Sequence, residues 1–293
     1  VVFGLSSSAA RGYVIHFSAF VRCYICVGDD PLGNVHLPTN ASNPQPMGWG
    51  LSILFFGIPA LGMALGFYLL MPALLGRGMK PYTAYSLALG FPLLLMGVAA
   101  VIAFRLEGGQ FSLPAMLERF RYKRMSGMDW LWTGGIFALE MIVYSQFSRV
   151  TNMLIESGVI RLPDSIPAFV DPRTVFAQET LDAAVGGLRG NWLVLAFSII
   201  LLIVNVLGEE IWWRGVVLPR QELSFAAWAW VIHGVFWALF HAYKYWDLFS
   251  LLPLSLGLAF VVSRRANSTP GIIIHFITNG SGLIPILLGV LGL

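Results

Sequence analysis

The chain has 293 residues, 57% of them hydrophobic and 11% charged, with a formal net charge of +3. Soluble domains carry about 25% charged residues, so this composition excludes an ordinary globular protein and predicts an all-α integral membrane protein. The positive balance makes no case for a nucleic-acid partner, because the basic residues fall between apolar runs, where they set orientation in a bilayer.

Residues 1–48 read as an N-terminal segment, with an apolar run from Tyr13 to Val27 interrupted by Arg22 and then a polar, Pro-rich loop. The run predicts an interfacial helix or an extra span, with no small-residue cleavage site of the signal-peptide kind. Its Cys23 and Cys26 form a single C-x-x-C without a second pair and read as ordinary thiols. From 49 to 293 the chain reads as one helical membrane domain. Spans are expected at 50–76, 81–104, 130–155, 191–218, 228–244, 247–263 and 270–291, each near the roughly 20 residues that cross a bilayer. That makes seven spans, or eight if the N-terminal run also crosses.

Between the second and third spans lies "RLEGGQFSLPAMLERFRYKRMSGMD", whose Arg105, Arg119, Arg121, Lys123 and Arg124 assign it to the cytoplasm. Alternation puts Arg214, Arg220, Arg264 and Arg265 on the same side, while Arg77 and Lys80 fall on the other. The long polar connection 156–191 holds its own helix signal. Asp171 can cap it, Pro172 suits its first turn, and Phe176, Ala177, Thr180, Leu181, Ala184, Val185 and Leu188 share one face. It predicts an amphipathic helix on the extracytoplasmic surface.

A charge inside a bilayer costs about 2.5 to 3.5 kcal/mol on insertion scales, so each should face a partner or a cavity. In "GEEIWWRG" Glu210 and Arg214 are four apart on one helix face and predict an ion pair. Glu209, about 100° round the helix, has no such local partner and is a candidate general base. In "FWALFHAY" Trp237 and His241 share a face; in "GIIIHFITNGSG" His275 and Asn279 do. Pro219 is expected to end the motif helix at Leu218, and Thr269-Pro270 to start the last span. With Leu218 and Pro270 near the cytoplasmic surface, Glu209 lies about 13 Å deep, His275 about 8 Å and His241 about 15 to 20 Å. One cavity opening to the cytoplasm could hold all three. His233 reads as a packing histidine, and Glu140 has no assigned partner.

These three motifs, in this order on late spans, resemble those of the CAAX protease and bacteriocin-processing family, the intramembrane glutamate proteases; the resemblance covers about residues 190–290. It implies a protease in which Glu209 activates water, His241 and His275 orient or polarise, and Asn279 with a His stabilises the oxyanion. Glu210, Arg214 and Trp237 would support them. The family pattern has Phe where this chain has Trp237, a change read as affecting packing more than chemistry. The resemblance implies a membrane-tethered substrate, prenylated or otherwise hydrophobic. One Glu and two His are also a zinc ligand set, but no H-E-x-x-H helix is present, which favours metal-free catalysis. A transporter or proton relay would use intramembrane Glu and His as well, and a non-catalytic scaffold would keep the fold.

Overall fold

Caps and prolines set most of the helix starts. The computed structural model describes residues 44–175 and 177–293, so the N-terminal run with Cys23 and Cys26, and Phe176, lie outside the described residues. Helix α1 (Trp49–Leu65) runs through a π-helical turn (Gly66–Leu70) into α2 (Met71–Gly76). Pro81 occupies the first turn of α3 (Pro81–Leu106), where a missing N–H leaves nothing unpaired. Ser112 caps α4 (Leu113–Arg119) by accepting from the Ala115 N–H, and Ser126 with Asp129 forms a capping box on α5 (Gly127–Glu156). After α6 (Gln178–Val185), the Asn191 side chain accepts from the Val194 N–H at 3.3 Å and starts α7 (Trp192–Glu210).

Among the described residues the regular elements are all helical. Four stretches are long and apolar enough to cross a bilayer: Trp49–Gly76, Pro81–Leu106, Trp192–Phe240 and Ala242–Arg265. A fifth follows if α11 (Thr269–Gly280) and α12 (Leu283–Leu291), bent by 44°, count as one. The expected span over 130–155 is helical throughout α5 but is not among them, because Gly134, Gly135, Glu140, Gln146 and Arg149 dilute its apolar content.

The stretch Trp192–Phe240 has 49 residues; at 1.5 Å each that is about 74 Å, over twice the hydrocarbon thickness. It is divided into α7, a π-helical segment (Ile211–Val217), α8 (Leu218–Phe225), a turn at Ala226 with φ 48°, and α9 (Ala229–Phe240). Pro219 therefore does not end the motif helix as expected. It lies in the first turn of α8, where the wider π turn before it relieves the clash a proline ring makes with an α-helical carbonyl.

The surface helix also starts later than its cap signal suggested. Asp171 is engaged by Arg173, accepting from its N–H at 2.9 Å and from its guanidinium, so α6 begins only at Gln178. The apolar face is the expected one. Leu181, Ala184, Val185 and the following Leu188 are buried, and the helix packs on α3 and α12.

Helix α9 lies along α10 (Leu248–Arg265), α10 along α5, and α7 between α3 and α11. The α3–α7 contact is tightest at Gly208, where a Cβ would stand 2.4 Å from the Leu93 carbonyl oxygen. Only glycine fits, and its neighbour Glu209 is thereby held at a fixed depth. Gln221 donates to Ser52 Oγ at 3.0 Å and meets His233 Nδ1 at 2.7 Å, so His233 joins α9, α8 and α1. The basic connection seals one end of the bundle: Arg119 pairs with Glu107 and donates to the Gly215 carbonyl at 2.7 Å, and Phe120 packs on Gly215.

Candidate active site

The two adjacent carboxylates point different ways, as their angular separation requires. Glu210 Oε1 accepts from Arg214 Nη1 at 2.9 Å, the predicted pair, and both side chains are fully buried. The same oxygen meets His275 Nδ1 at 2.8 Å. A carboxylate only accepts, so Nδ1 carries the hydrogen, and in the neutral ring Nε2 is left as an acceptor. Asn279 donates to that nitrogen from Nδ2 at 2.9 Å.

Glu209 is buried, at 2% exposure, and both its oxygens are held. Oε2 accepts from the indole Nε1 of Trp237 at 2.7 Å and Oε1 from Asn205 Nδ2 at 3.0 Å. Glu209 was expected to lack a local partner, and Asn205, one turn earlier on the same helix face, supplies one. Asn205 Oδ1 in turn accepts from Asn279 Nδ2 at 2.7 Å. A continuous chain thus runs Arg214, Glu210, His275, Asn279, Asn205, Glu209, Trp237. It closes on itself, because the Arg214 guanidinium lies 3.9 Å from the centre of the Trp237 ring.

His241 joins through the same tryptophan. Its Nδ1 donates to the Trp237 carbonyl at 2.9 Å, which leaves Nε2 as the free lone pair of the neutral ring. The ring stands edge-on to Trp237 at 5.4 Å between centres. His241 sits at the C-terminal end of α9, the residue after Phe240.

All seven sequence-nominated residues, Glu209, Glu210, Arg214, Trp237, His241, His275 and Asn279, therefore meet in one region. Two details differ from expectation. Glu210, expected only to neutralise Arg214, is also hydrogen-bonded to His275. Trp237 contributes an N–H that phenylalanine lacks, so the departure from the family pattern is chemical as well as steric. Asn205 is the member missed by sequence reasoning, although its i, i+4 relation to Glu209 was available.

Glu140 of α5 is buried against Gly257 of α10, where a Cβ would come within 2.3 Å of its Oε1, and among the described residues neither of its oxygens has a hydrogen-bond partner. His241 and His275 each use Nδ1 in a hydrogen bond, His275 Nε2 accepts from Asn279, and among the described residues no three His, Cys, Asp or Glu groups surround a common ion position.

The accessible edge of the region is Asn279, which is exposed, and Asn205, which is half-buried. Beside it a shallow, open apolar depression is lined by Leu202, Phe276, Ile277, Gly280, Leu283 and Ile284, with Ser281. The opposite edge, around Arg214 and Gly215, is closed.

Residues 191–281 match the family model described as type II CAAX prenyl endopeptidase Rce1-like, which lies within the CAAX protease family that the three motifs resemble. No curated protein and no solved structure matches the chain.

Proposed function

We propose that this membrane protein, with its Rce1-like CAAX endopeptidase match over residues 191–281, is an intramembrane endopeptidase using water activated by Glu209. The observation that carries the reading is that Glu209, both imidazoles and Asn279 share one hydrogen-bonded assembly built from three separate helices.

In the mechanism, a water binds between Glu209 and the free Nε2 of His241, two acceptors that together orient its hydrogens. Glu209 takes a proton as the oxygen attacks the scissile carbonyl carbon. The carbonyl oxygen becomes an oxyanion, a stronger acceptor than the Asn205 amide, and draws the Asn279 N–H to itself. His275 keeps the Asn279 amide nitrogen facing inward, and Glu210 with Arg214 holds His275. The proton on Glu209 then passes to the leaving amine as the C–N bond breaks. No metal takes part in this scheme.

We read the substrate as a membrane-tethered peptide, prenylated or otherwise hydrophobic, whose apolar tail lies in the depression beside Asn279. We read the 49-residue stretch, divided at Ala226, as two spans and α5 as another, which makes seven among the described residues. With the basic connection in the cytoplasm, a cytoplasmic entrance would have to pass Phe120 and Gly215, so we place the entrance laterally, at the exposed Asn279.

The test is turnover of an internally quenched farnesylated C-a-a-X peptide by the purified protein in nanodiscs. Glu209→Gln is expected to lower kcat by about 10²- to 10⁴-fold, the range for general-base catalysis, with an unchanged melting temperature. Undiminished turnover in that variant would end the reading. A zinc chelator is expected to leave the wild-type rate unchanged, and inhibition reversed by added zinc would refute the metal-free scheme.

A further inference from the structure

The hydrogen-bond chain has a direction, and it passes through a residue outside all three motifs. Glu210 is an acceptor, so His275 presents Nδ1–H to it and bare Nε2 to Asn279. Asn279 must then turn its Nδ2 inward, and the same Nδ2 reaches Asn205 Oδ1. With Oδ1 committed, the atom that Asn205 can offer to Glu209 is its Nδ2–H. An asparagine side chain has one acceptor end and one donor end, so each link removes the freedom of the next. The polarity imposed at Glu210 therefore arrives at Glu209 as a donor rather than an acceptor.

We propose that Asn205 is a further positioning residue of the reaction, one that fixes the Glu209 carboxylate from Oε1 while Trp237 fixes it from Oε2, and that couples Glu209 to Asn279. Its location argues against a purely structural role. Asn205 lies 13 residues into the 19-residue apolar helix α7, deep enough that an amide is costly without partners. It is also half-buried at the open edge of the assembly rather than packed in the core. Leucine there would have the same branched outline, though larger, and would suit lipid better. What leucine lacks is the pair of hydrogen bonds, one to the acid and one to the amide. General bases lose effectiveness when their orientation drifts by 10–20°, and two N–H donors on opposite oxygens remove that drift.

This inference rests on the endopeptidase reading, and the experiment separates the two. Asn205→Leu, Asn205→Gln and Glu209→Gln are compared with wild type in nanodiscs on the farnesylated C-a-a-X peptide, with kcat, KM and melting temperature read for each. Asn205→Leu is expected to lower kcat about ten- to a hundredfold, the effect of losing a hydrogen bond to a charged group. KM should stay within about threefold, and the melting temperature should hold, because taking an amide out of the bilayer offsets the bonds lost at this half-buried edge, an offset that the fully buried Trp237 lacks. Asn205→Gln keeps the carboxamide at this half-buried position, and should return kcat to within about fivefold of wild type. A kcat in Asn205→Leu less than tenfold below wild type, alongside an inactive Glu209→Gln, would overturn the role of Asn205 and leave the endopeptidase reading standing. A loss that follows a lowered melting temperature, or that glutamine does not repair, would also overturn it. Full activity in Glu209→Gln would remove both readings together.

Discussion

Arg214→Met separates the fully buried ion pair from its surroundings most cleanly. Arg214 Nη1 is 2.9 Å from Glu210 Oε1, both side chains have zero exposure, and the guanidinium also covers the Trp237 ring at 3.9 Å. Removing the arginine leaves Glu210 with the His275 N–H as its remaining donor among the described residues, where Oε2 already has no partner. Breaking a buried pair by deleting one member costs about 3 to 5 kcal/mol, because the surviving charge is uncompensated. For a chain of this size each kcal/mol lowers the melting temperature by about 2 to 4 °C, so a fall of about 6 to 20 °C is expected. The double variant Glu210→Gln with Arg214→Met removes the stranded charge while keeping an acceptor for His275, and should recover at least half of that fall. Both are measured by thermal unfolding in one detergent at one protein concentration. A single variant within 2 °C of wild type, or a double variant no more stable than the single, would refute the claim that desolvated charge dominates here.

Trp237→Phe restores the ring type of the family pattern but removes the 2.7 Å indole bond to Glu209, so it should destabilise by about 1.5 to 3 kcal/mol in the same assay. Gly208→Ala places a methyl 2.4 Å from a backbone oxygen, which cannot swing away, so α3 and α7 must part. The expected cost is about 1 to 3 kcal/mol with a lower kcat, because Glu209 moves with the helix; wild-type stability and turnover would contradict it. Burial alone would raise the Asp129 carboxyl, but hydrogen bonds from Ser126 and the Arg265 guanidinium outweigh it and hold it below the usual aspartate range. A depressed folded value means that this contribution is complete above the unfolded value of about 3.9 and is lost as pH falls through the folded one. Melting temperatures of wild type and Asp129→Asn should therefore differ at pH 7 and converge as the pH drops below about 4.

Helix positions were legible because apolar runs, caps and prolines act locally. Pro81 and the Ser126–Asp129 box start helices within a few residues of where the sequence placed them. Asp171 misled because a neighbouring arginine competed for the same oxygens. The Glu210–Arg214 pair was legible from spacing alone, and so was the shared face of His275 and Asn279. Which glutamate His275 meets depends on how α11 is rotated against α7, and no spacing within either helix encodes that. The indole bond was hidden for a related reason: an aromatic position is visible in a pattern, but the direction of its N–H is not. Asn205 was within reach, since the spacing that revealed the ion pair also links it to Glu209.

The π-helical segment Ile211–Val217 is in effect an α-helix carrying surplus residues, wound wider to absorb them. A relative that had lost one residue between Arg214 and Leu218 would keep all three motifs and an unaltered hydropathy trace. The bulge would unwind into ordinary α-helical turns, so Gln221 beyond it would stay on the side that faces Ser52 and His233. In a helix without spare residues the same loss would turn all that follows by about 100°, so this short window is where descendants of this scaffold can shed a residue and keep its geometry.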